Sequence, residues 1–226
     1  RATGPDLNQQ PRRRRIGLLG GTFDPIHVGH LALAHAARTA LQLDEVRFVP
    51  TGQSWQKVGS GAPAAARLDM VRLAVEKTPG FVVDDRETRR PGPSYTVDTL
   101  VELRAEVGPE PALVLVLGSD QLRNLATWPR YDELLRHAHI AAPRRGSHRL
   151  AGFDAPLEAL LAAHGRDALP DAPCGAIVFF RMPPVAVSAS ALRAQLARGE
   201  RPLELLPAGV LAYIERHRLY RAVPHA

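Results

Sequence analysis

The sequence predicts an α/β fold in which a doubly wound, mostly parallel sheet carries helices on both faces. Short apolar runs typical of strands alternate with longer helical runs, which is the pattern of βαβ units. Residues 113–117 are apolar throughout, as expected for a central strand buried on both faces. Because no repeat or linker divides the 226 residues, we expect one domain at residues 16–222 behind a disordered basic tail at residues 1–15.

The predicted elements follow one another along this domain. Strands are predicted at residues 16–19, 46–49, 81–83, 113–117, 139–142 and 176–180. Helices are predicted at residues 28–41, 64–77, 95–107, 119–125, 131–137, 157–164, 188–197 and near 208–218. In the last helix Val210, Tyr213 and Ile214 share one face, so we expect C-terminal helices packed on the domain. Residues 144–173 are expected to form an excursion from the sheet.

The most informative stretch is residues 20–30, with the sequence GGTFDPIHVGH. It lies between a predicted strand and a predicted helix, where open α/β sheets bind their ligands. Gly20 and Gly21 allow the backbone to approach a ligand closely. Asp24 and Pro25 stand in the order favoured for the N-cap and first residue of a helix.

Two histidines follow in the first turn of that helix. His27 and His30 are three residues apart and therefore share one face. Backbone N–H groups and the positive end of the helix dipole point to the same place, which predicts a phosphate site. A histidine pair alone is often incidental surface, but here it occurs together with the glycines and the Asp-Pro pair.

This stretch resembles the signature of the nucleotidyltransferase superfamily that includes the nicotinate- and nicotinamide-mononucleotide adenylyltransferases, and most closely the bacterial nicotinate-nucleotide enzymes. The resemblance implies a Rossmann-like nucleotidyltransferase domain that uses ATP and nicotinate mononucleotide. The 5′-phosphate of the mononucleotide would attack the α-phosphorus of ATP, giving deamido-NAD and pyrophosphate. His27 and His30 would hold phosphate oxygens as catalytic residues. The ATP-binding residues implied in the turn are Gly20, Gly21, Thr22 and Phe23.

Later stretches supply residues for the phosphates of ATP. The family places a lysine in the loop after the second strand, and Lys57 stands there, in what we expect to be a mobile loop. Ser188, Ser190 and Arg193 resemble the family's S-S/T-x-I/L-R helix start. Lys57 and Arg193 would hold the β- and γ-phosphates, although the second motif taken alone would be explained more simply by a serine cap and a surface arginine. Arg67 is either a phosphate contact or a surface charge.

Residues 92–100, GPSYTVDTL, match a family stretch that holds the pyridine carboxylate of the mononucleotide through backbone amides. The implied mononucleotide-binding residues are Ser94, Tyr95, Thr96 and Trp128. Ser94 and Thr96 could simply cap a helix, and the Trp128 ring either stacks on the base or belongs to the core. The family often uses the amide after this tryptophan, but Pro129 has no N–H, which leaves the preference for nicotinate over nicotinamide open.

Gly118 and Asp120 follow the central strand, at the same sheet edge as the glycine turn. The Asp120 carboxylate is expected to accept hydrogen bonds from the ribose or adenine of ATP, or to cap the next helix. No tight carboxylate cluster accompanies it in the sequence. We therefore expect Mg²⁺ to be bound through ATP phosphates and water rather than by a protein cage.

Composition limits the other classes of function. A formal net charge of +6 favours anionic partners, whether nucleotides or nucleic acid, but arginines 12–15 are most simply a solvated flank. The single cysteine, Cys174, excludes a disulfide framework and a cysteine metal site. No segment has the length of a membrane span and the first fifteen residues lack a signal-peptide core, so we expect a cytoplasmic protein that binds neither membrane nor nucleic acid.

Three alternatives remain at this stage. The nearest is an adenylyltransferase of the same fold that uses nicotinamide mononucleotide or another phosphate acceptor. A nucleotide sensor or nucleic-acid-binding protein would use residues 12–15 as a basic arm and would show a steep salt dependence. A class I aminoacyl-tRNA synthetase also contains H-x-G-H, but the chain is short for one and has no second lysine-rich signature. The oligomeric state does not follow from the sequence.

Overall fold

The computed structural model describes residues 12–53, 61–144 and 153–221. Within these ranges one parallel sheet has the strand order β3-β2-β1-β4-β5-β7-β6. The strands are β1 (Arg15–Gly21), β2 (Glu45–Pro50), β3 (Phe81–Val83), β4 (Ala112–Val116), β5 (His139–Arg144), β6 (Gly165–Arg166) and β7 (Ile177–Arg181). The predicted α/β class and its parallel sheet are therefore confirmed.

Helices cover both faces of this sheet. They are α1 (Val28–Leu41), α2 (Ala64–Val75), α3 (Arg86–Arg89), α4 (Thr96–Val107), α5 (Ser119–Arg123), α6 (Ala155–His164), α7 (Ala189–Ala197) and α8 (Ala208–Arg216). Apolar side chains of α1, α2, α7 and α8 form the core on one face, and those of α4, α5 and α6 form the core on the other. The C-terminal helices pack on the domain as predicted.

Strand β4 shows why the sequence is apolar without interruption there. Val114 and Val116 belong to the first core, whereas Leu113 and Leu115 belong to the second. Because successive side chains of a strand point to opposite faces, a strand with helices on both sides needs an apolar residue at every position.

The strand order places the functional stretch. β1 pairs with β2 on one side and with β4 on the other, so the chain order reverses between β1 and β4. Such a reversal opens a crevice at the carboxyl ends of the two strands. The turn at residues 20–30 follows β1, and Gly118 follows β4, so both lie at this crevice.

Several predicted elements differ from the observed ones. The helix predicted at residues 64–77 ends at Val75, and that predicted at 131–137 is a 3-10 helix at Tyr131–Arg136. The short elements α3 and β6 were not predicted because four and two residues are too few for a recognisable period. None of the helices within the described ranges is long and apolar enough to cross a membrane.

The arginine run is part of the folded surface. Arg15 is the first residue of β1, and the three arginines before it form ion pairs with acidic side chains of the domain. The pairs are Arg12–Asp44, Arg13–Glu110 and Arg14–Glu45, with N–O distances of 2.6, 3.0 and 2.7 Å. Arg12 and Arg14 remain exposed, as expected for a solvated flank, and their ion pairs join the run to the domain. The rest of the predicted tail, residues 1–11, lies outside the described residues.

Candidate active site

A cleft of about 400 Å³ opens at the carboxyl ends of β1 and β4. Most of the predicted site residues line it. These are Gly20, Gly21, Thr22, Phe23, His27, His30, Ser94, Thr96, Gly118, Asp120 and Trp128. Tyr95, Ser188, Ser190 and Arg193 are not on its wall, and Lys57 lies outside the described residues.

The start of helix α1 differs from the prediction. Its N-cap is His27 and its first residue is Val28, so Asp24 and Pro25 do not begin the helix and instead lie in the loop around a cis peptide bond. The Asp24 carboxylate is used elsewhere, because it accepts hydrogen bonds from the Ala62 N–H at 2.9 Å and from the Tyr220 hydroxyl at 2.6 Å. These two hydrogen bonds to distant parts of the chain override the local preference of Asp24 for a helix N-cap.

His27 and His30 form a stacked pair on the cleft wall. Their ring centroids are 3.8 Å apart, and the backbone N–H of His27 donates to Nδ1 of His30 at 3.3 Å. Since Nδ1 of His30 accepts this bond, the neutral ring carries its proton on Nε2. Phe23 packs edge-on against His30, with centroids 5.0 Å apart, and so fixes the ring from the other side.

His27 is buried, and burial lowers its pKa to about 4. The described residues offer no hydrogen-bond partner to its Nδ1. Gly29 makes room for this ring: a Cβ at that position would lie 3.1 Å from His27 Cε1 and 2.7 Å from Val187 Cγ1. The glycine of the H-x-G-H pattern therefore has a packing reason.

The low pKa of His27 predicts an acid-sensitive contribution to stability. The folded-state pKa of about 4 lies below the ordinary value of 6.5, so between these values the unfolded chain binds a proton that the folded chain does not. The stabilisation is present above pH 6.5 and is lost as the pH falls toward 4, by about 3 kcal/mol in total. We expect His27→Asn to flatten the pH dependence of the unfolding free energy in this window, as measured by urea denaturation. Identical slopes in both proteins would contradict the burial of a neutral His27.

Arg67 holds the turn from outside. Its guanidinium is buried and donates to three backbone carbonyls, those of Thr22 at 2.6 Å, Gly52 at 2.9 Å and Ala62 at 3.1 Å. Burial lowers its pKa. Neither sequence interpretation was right: Arg67 is not a surface charge, and it does not line the cleft as a phosphate contact would. A single arginine early in a helix gives no signal of this role.

Arg193 binds the turn, and neither it nor the serines Ser188 and Ser190 line the cleft. Arg193 Nη1 donates to the backbone carbonyl of Asp24 at 2.7 Å, and Nη2 lies 3.4 Å from Ser190 Oγ. Ser188 caps α7 by accepting the Ala191 N–H at 3.2 Å. The cap predicted from the sequence is thus present, whereas a grip of this motif on pyrophosphate stays a prediction.

The opposite wall of the cleft presents polar groups for a second ligand. Ser94 is buried, and neither its Oγ nor Trp128 Nε1 has a hydrogen-bond partner among the described residues. Thr99 and Glu87 also line this wall, and the Thr99 hydroxyl donates to Glu87 at 2.7 Å. Burial raises the pKa of Glu87. No sequence pattern singles out Thr99 or Glu87, since each becomes part of the wall only when α3 and α4 meet there.

The helix caps and the position of Trp128 bear on the alternatives for four further residues. Helix α4 has Tyr95 as its N-cap without a side-chain capping bond, so capping does not explain Ser94 or Thr96. Gly118, not Asp120, is the N-cap of α5. Trp128 both lines the cleft and packs against the second core, so its two interpretations are compatible.

Comparisons with known proteins agree on one family. The family model described as cytidylyltransferase-like matches residues 18–195. A protein of Pseudomonas fluorescens named as a probable nicotinate-nucleotide adenylyltransferase is 45% identical over 210 residues, which cover 92% of this chain and 98% of that protein. A protein of Laribacter hongkongensis with the same name is 46% identical over 216 residues, covering 93% and 96%.

Solved structures show the same fold. The nicotinic acid mononucleotide adenylyltransferase of Plasmodium falciparum, complexed with NaAD, superimposes with a TM-score of 0.69 at 18% identity, covering 92% of this chain and 98% of that one. The same protein complexed with APC gives a TM-score of 0.67.

Proposed function

The chain belongs to the cytidylyltransferase-like family and, within it, to the nicotinate-nucleotide adenylyltransferases, and from this premise we propose that it transfers the adenylyl group of ATP to nicotinate mononucleotide. The products are deamido-NAD and pyrophosphate, in a cytoplasmic step of NAD synthesis. The observation that carries the proposal is the His27–His30 pair, stacked on the glycine turn at the point where the strand order reverses. A phosphate at this point meets imidazole N–H groups and the N-terminus of α1.

The proposed chemistry is an in-line displacement that needs no protein base. The attacking 5′-phosphate oxygen is already ionised at neutral pH, so it attacks the α-phosphorus directly and pyrophosphate leaves. The protein contributes positioning and charge stabilisation. His30 supports the developing charge through its Nε2–H, since its Nδ1 is occupied by the backbone N–H of His27.

The two substrates divide the cleft between them. Gly20, Gly21 and the loop beginning at Gly118 are proposed to receive ATP, with the Asp120 carboxylate accepting from its ribose or adenine. Ser94 Oγ and Trp128 Nε1 offer polar atoms to the pyridine mononucleotide, whose ring stacks on the indole. Lys57 and Arg193 are proposed to hold the phosphates that leave as pyrophosphate. For Arg193 this requires the side chain to turn away from the Asp24 carbonyl.

Mg²⁺ is proposed to enter with ATP. Among the described residues no group of three or more His, Cys, Asp or Glu side chains could hold a metal ion, and the Asp24 carboxylate on the cleft wall already accepts two hydrogen bonds. The ion would be bound by phosphate oxygens and water, where it neutralises the charge on the phosphates.

The test is pyrophosphate release from ATP and Mg²⁺ with each mononucleotide as acceptor. We expect nicotinate mononucleotide to give the higher kcat/KM and chelation of Mg²⁺ by EDTA to abolish turnover. Because Pro129 offers no N–H, nicotinamide mononucleotide is the second candidate acceptor, and a higher kcat/KM with it would replace the first. Absence of pyrophosphate release with both acceptors would overturn the proposed function.

A further inference from the structure

Residues 22–24 are held from outside by three different parts of the chain. Arg67 on α2 binds the Thr22 carbonyl, and Arg193 on α7 binds the Asp24 carbonyl. Between them Phe23 has a φ of 49°, in the left-handed region that residues other than glycine rarely adopt. Such a backbone conformation persists only where surrounding contacts maintain it. These contacts therefore decide where the turn, and the His27 that follows it, lie in the cleft.

The third contact comes from the C-terminal segment. Tyr220, which follows α8, donates its hydroxyl to Asp24 Oδ1 at 2.6 Å across a separation of 196 residues. Its side chain packs against the first core, and its own backbone is also left-handed, with a φ of 61°. Burial and the nearby Asp24 raise the pKa of the Tyr220 hydroxyl, which therefore remains a donor. Tyr220 itself is not on the cleft wall.

We propose that Tyr220 is a positioning residue for adenylyl transfer, because its hydroxyl fixes the Asp24 carboxylate and thereby the turn that carries His27. The expected effect on kcat rests on the proposed function. The expected effect on the position of the turn does not. The same carboxylate oxygen accepts the Ala62 N–H, so Asp24 joins the C-terminal segment, the start of α2 and the catalytic turn at one point. Without the hydroxyl, Asp24 keeps Ala62 on Oδ1 and the ion pair of Oδ2 with Arg193 at 3.8 Å, but it loses its contact with the segment that follows α8.

The chain offers a matched control for the loss of this hydroxyl. Tyr213 on α8 also donates to an aspartate, Asp69 Oδ2 on α2, at 3.1 Å, but neither residue of that pair lines the cleft. Tyr220→Phe and Tyr213→Phe each remove one tyrosine–aspartate hydrogen bond near the C-terminus. We expect their Tm values to agree within about 3 °C. Only Tyr220→Phe is expected to lower kcat, by about tenfold, since small displacements of catalytic groups strongly reduce the reaction rate.

Two further measurements separate positioning from a general structural role. Hydrogen–deuterium exchange of the peptide spanning residues 20–30 should be faster in Tyr220→Phe than in Tyr213→Phe or the original protein. In an Asp24→Asn background, Tyr220→Phe should change kcat by less than about twofold. The reason is that the Tyr220 hydroxyl affects the turn only through the Asp24 carboxylate, which this background lacks. Equal kcat values in the two phenylalanine variants, together with equal exchange of this peptide, would overturn the proposal.

The exchange measurement needs no turnover. If the original protein released no pyrophosphate, the proposed function would fail while the exchange comparison would still decide whether Tyr220 holds the turn. Turnover in the original protein with identical exchange and kcat in both variants would instead reject the positioning role alone.

Discussion

Replacing His30 with alanine is expected to lower kcat about 10³-fold while the protein remains folded. Removing one preorganised donor at a site of developing charge typically costs 10²- to 10³-fold, and His30→Ala also removes the acceptor for the His27 N–H and the ring stacked on His27. The loss should fall on kcat more than on KM, because the donor matters most when charge develops in the transition state. The measurement is pyrophosphate release at saturating ATP and nicotinate mononucleotide.

Two variants make this result interpretable. His35→Ala lies on the same helix, but the His35 side chain is exposed and outside the cleft wall, so kcat should be unchanged. His30→Gln restores an N–H near the position of Nε2 and should retain more activity than His30→Ala. Near-normal kcat in folded His30→Ala would remove the central argument for the catalytic turn.

The sequence predicts this turn and its histidines because the relevant patterns are local. The helix predicted at residues 28–41 agrees with α1, since an amphipathic period over fourteen residues reports which face is buried. β4 is also recognisable from a local pattern, because a strand with helices on both faces is apolar at every position. Ser188 is recognisable as a cap, since its acceptor and the donor it binds are three residues apart.

What the sequence does not predict depends on contacts between distant segments. Asp24 and Pro25 look like a helix start, yet the partners that decide the role of Asp24 are 38 and 196 residues away. Arg67 is a second case. Its guanidinium is buried because it binds three backbone carbonyls that come together only in the folded chain. Local rules describe what a residue can do, whereas its actual role depends on which competing partner the fold supplies.

Arg67→Met is expected to lower the free energy of unfolding by about 4 kcal/mol. Methionine fills much of the same volume, but it leaves the carbonyls of Thr22, Gly52 and Ala62 without the donor they share. A buried polar group that loses its partner costs about 1–3 kcal/mol, and three carbonyls lose theirs in this variant. Equilibrium urea denaturation measures the loss, which is a large part of the stability of an ordinary domain.

A second arginine on the same helix provides the control. Arg72 is exposed and pairs with Asp69 at the surface, so Arg72→Met should change the unfolding free energy by no more than about 0.5 kcal/mol. Arg67→Lys keeps the charge but not the planar fork, and one ammonium cannot reach three carbonyls in the same geometry. We therefore expect Arg67→Lys to fall between the original protein and Arg67→Met. If Arg67→Met were no more destabilised than Arg72→Met, the turn would have to be maintained by Arg193 and Tyr220 alone.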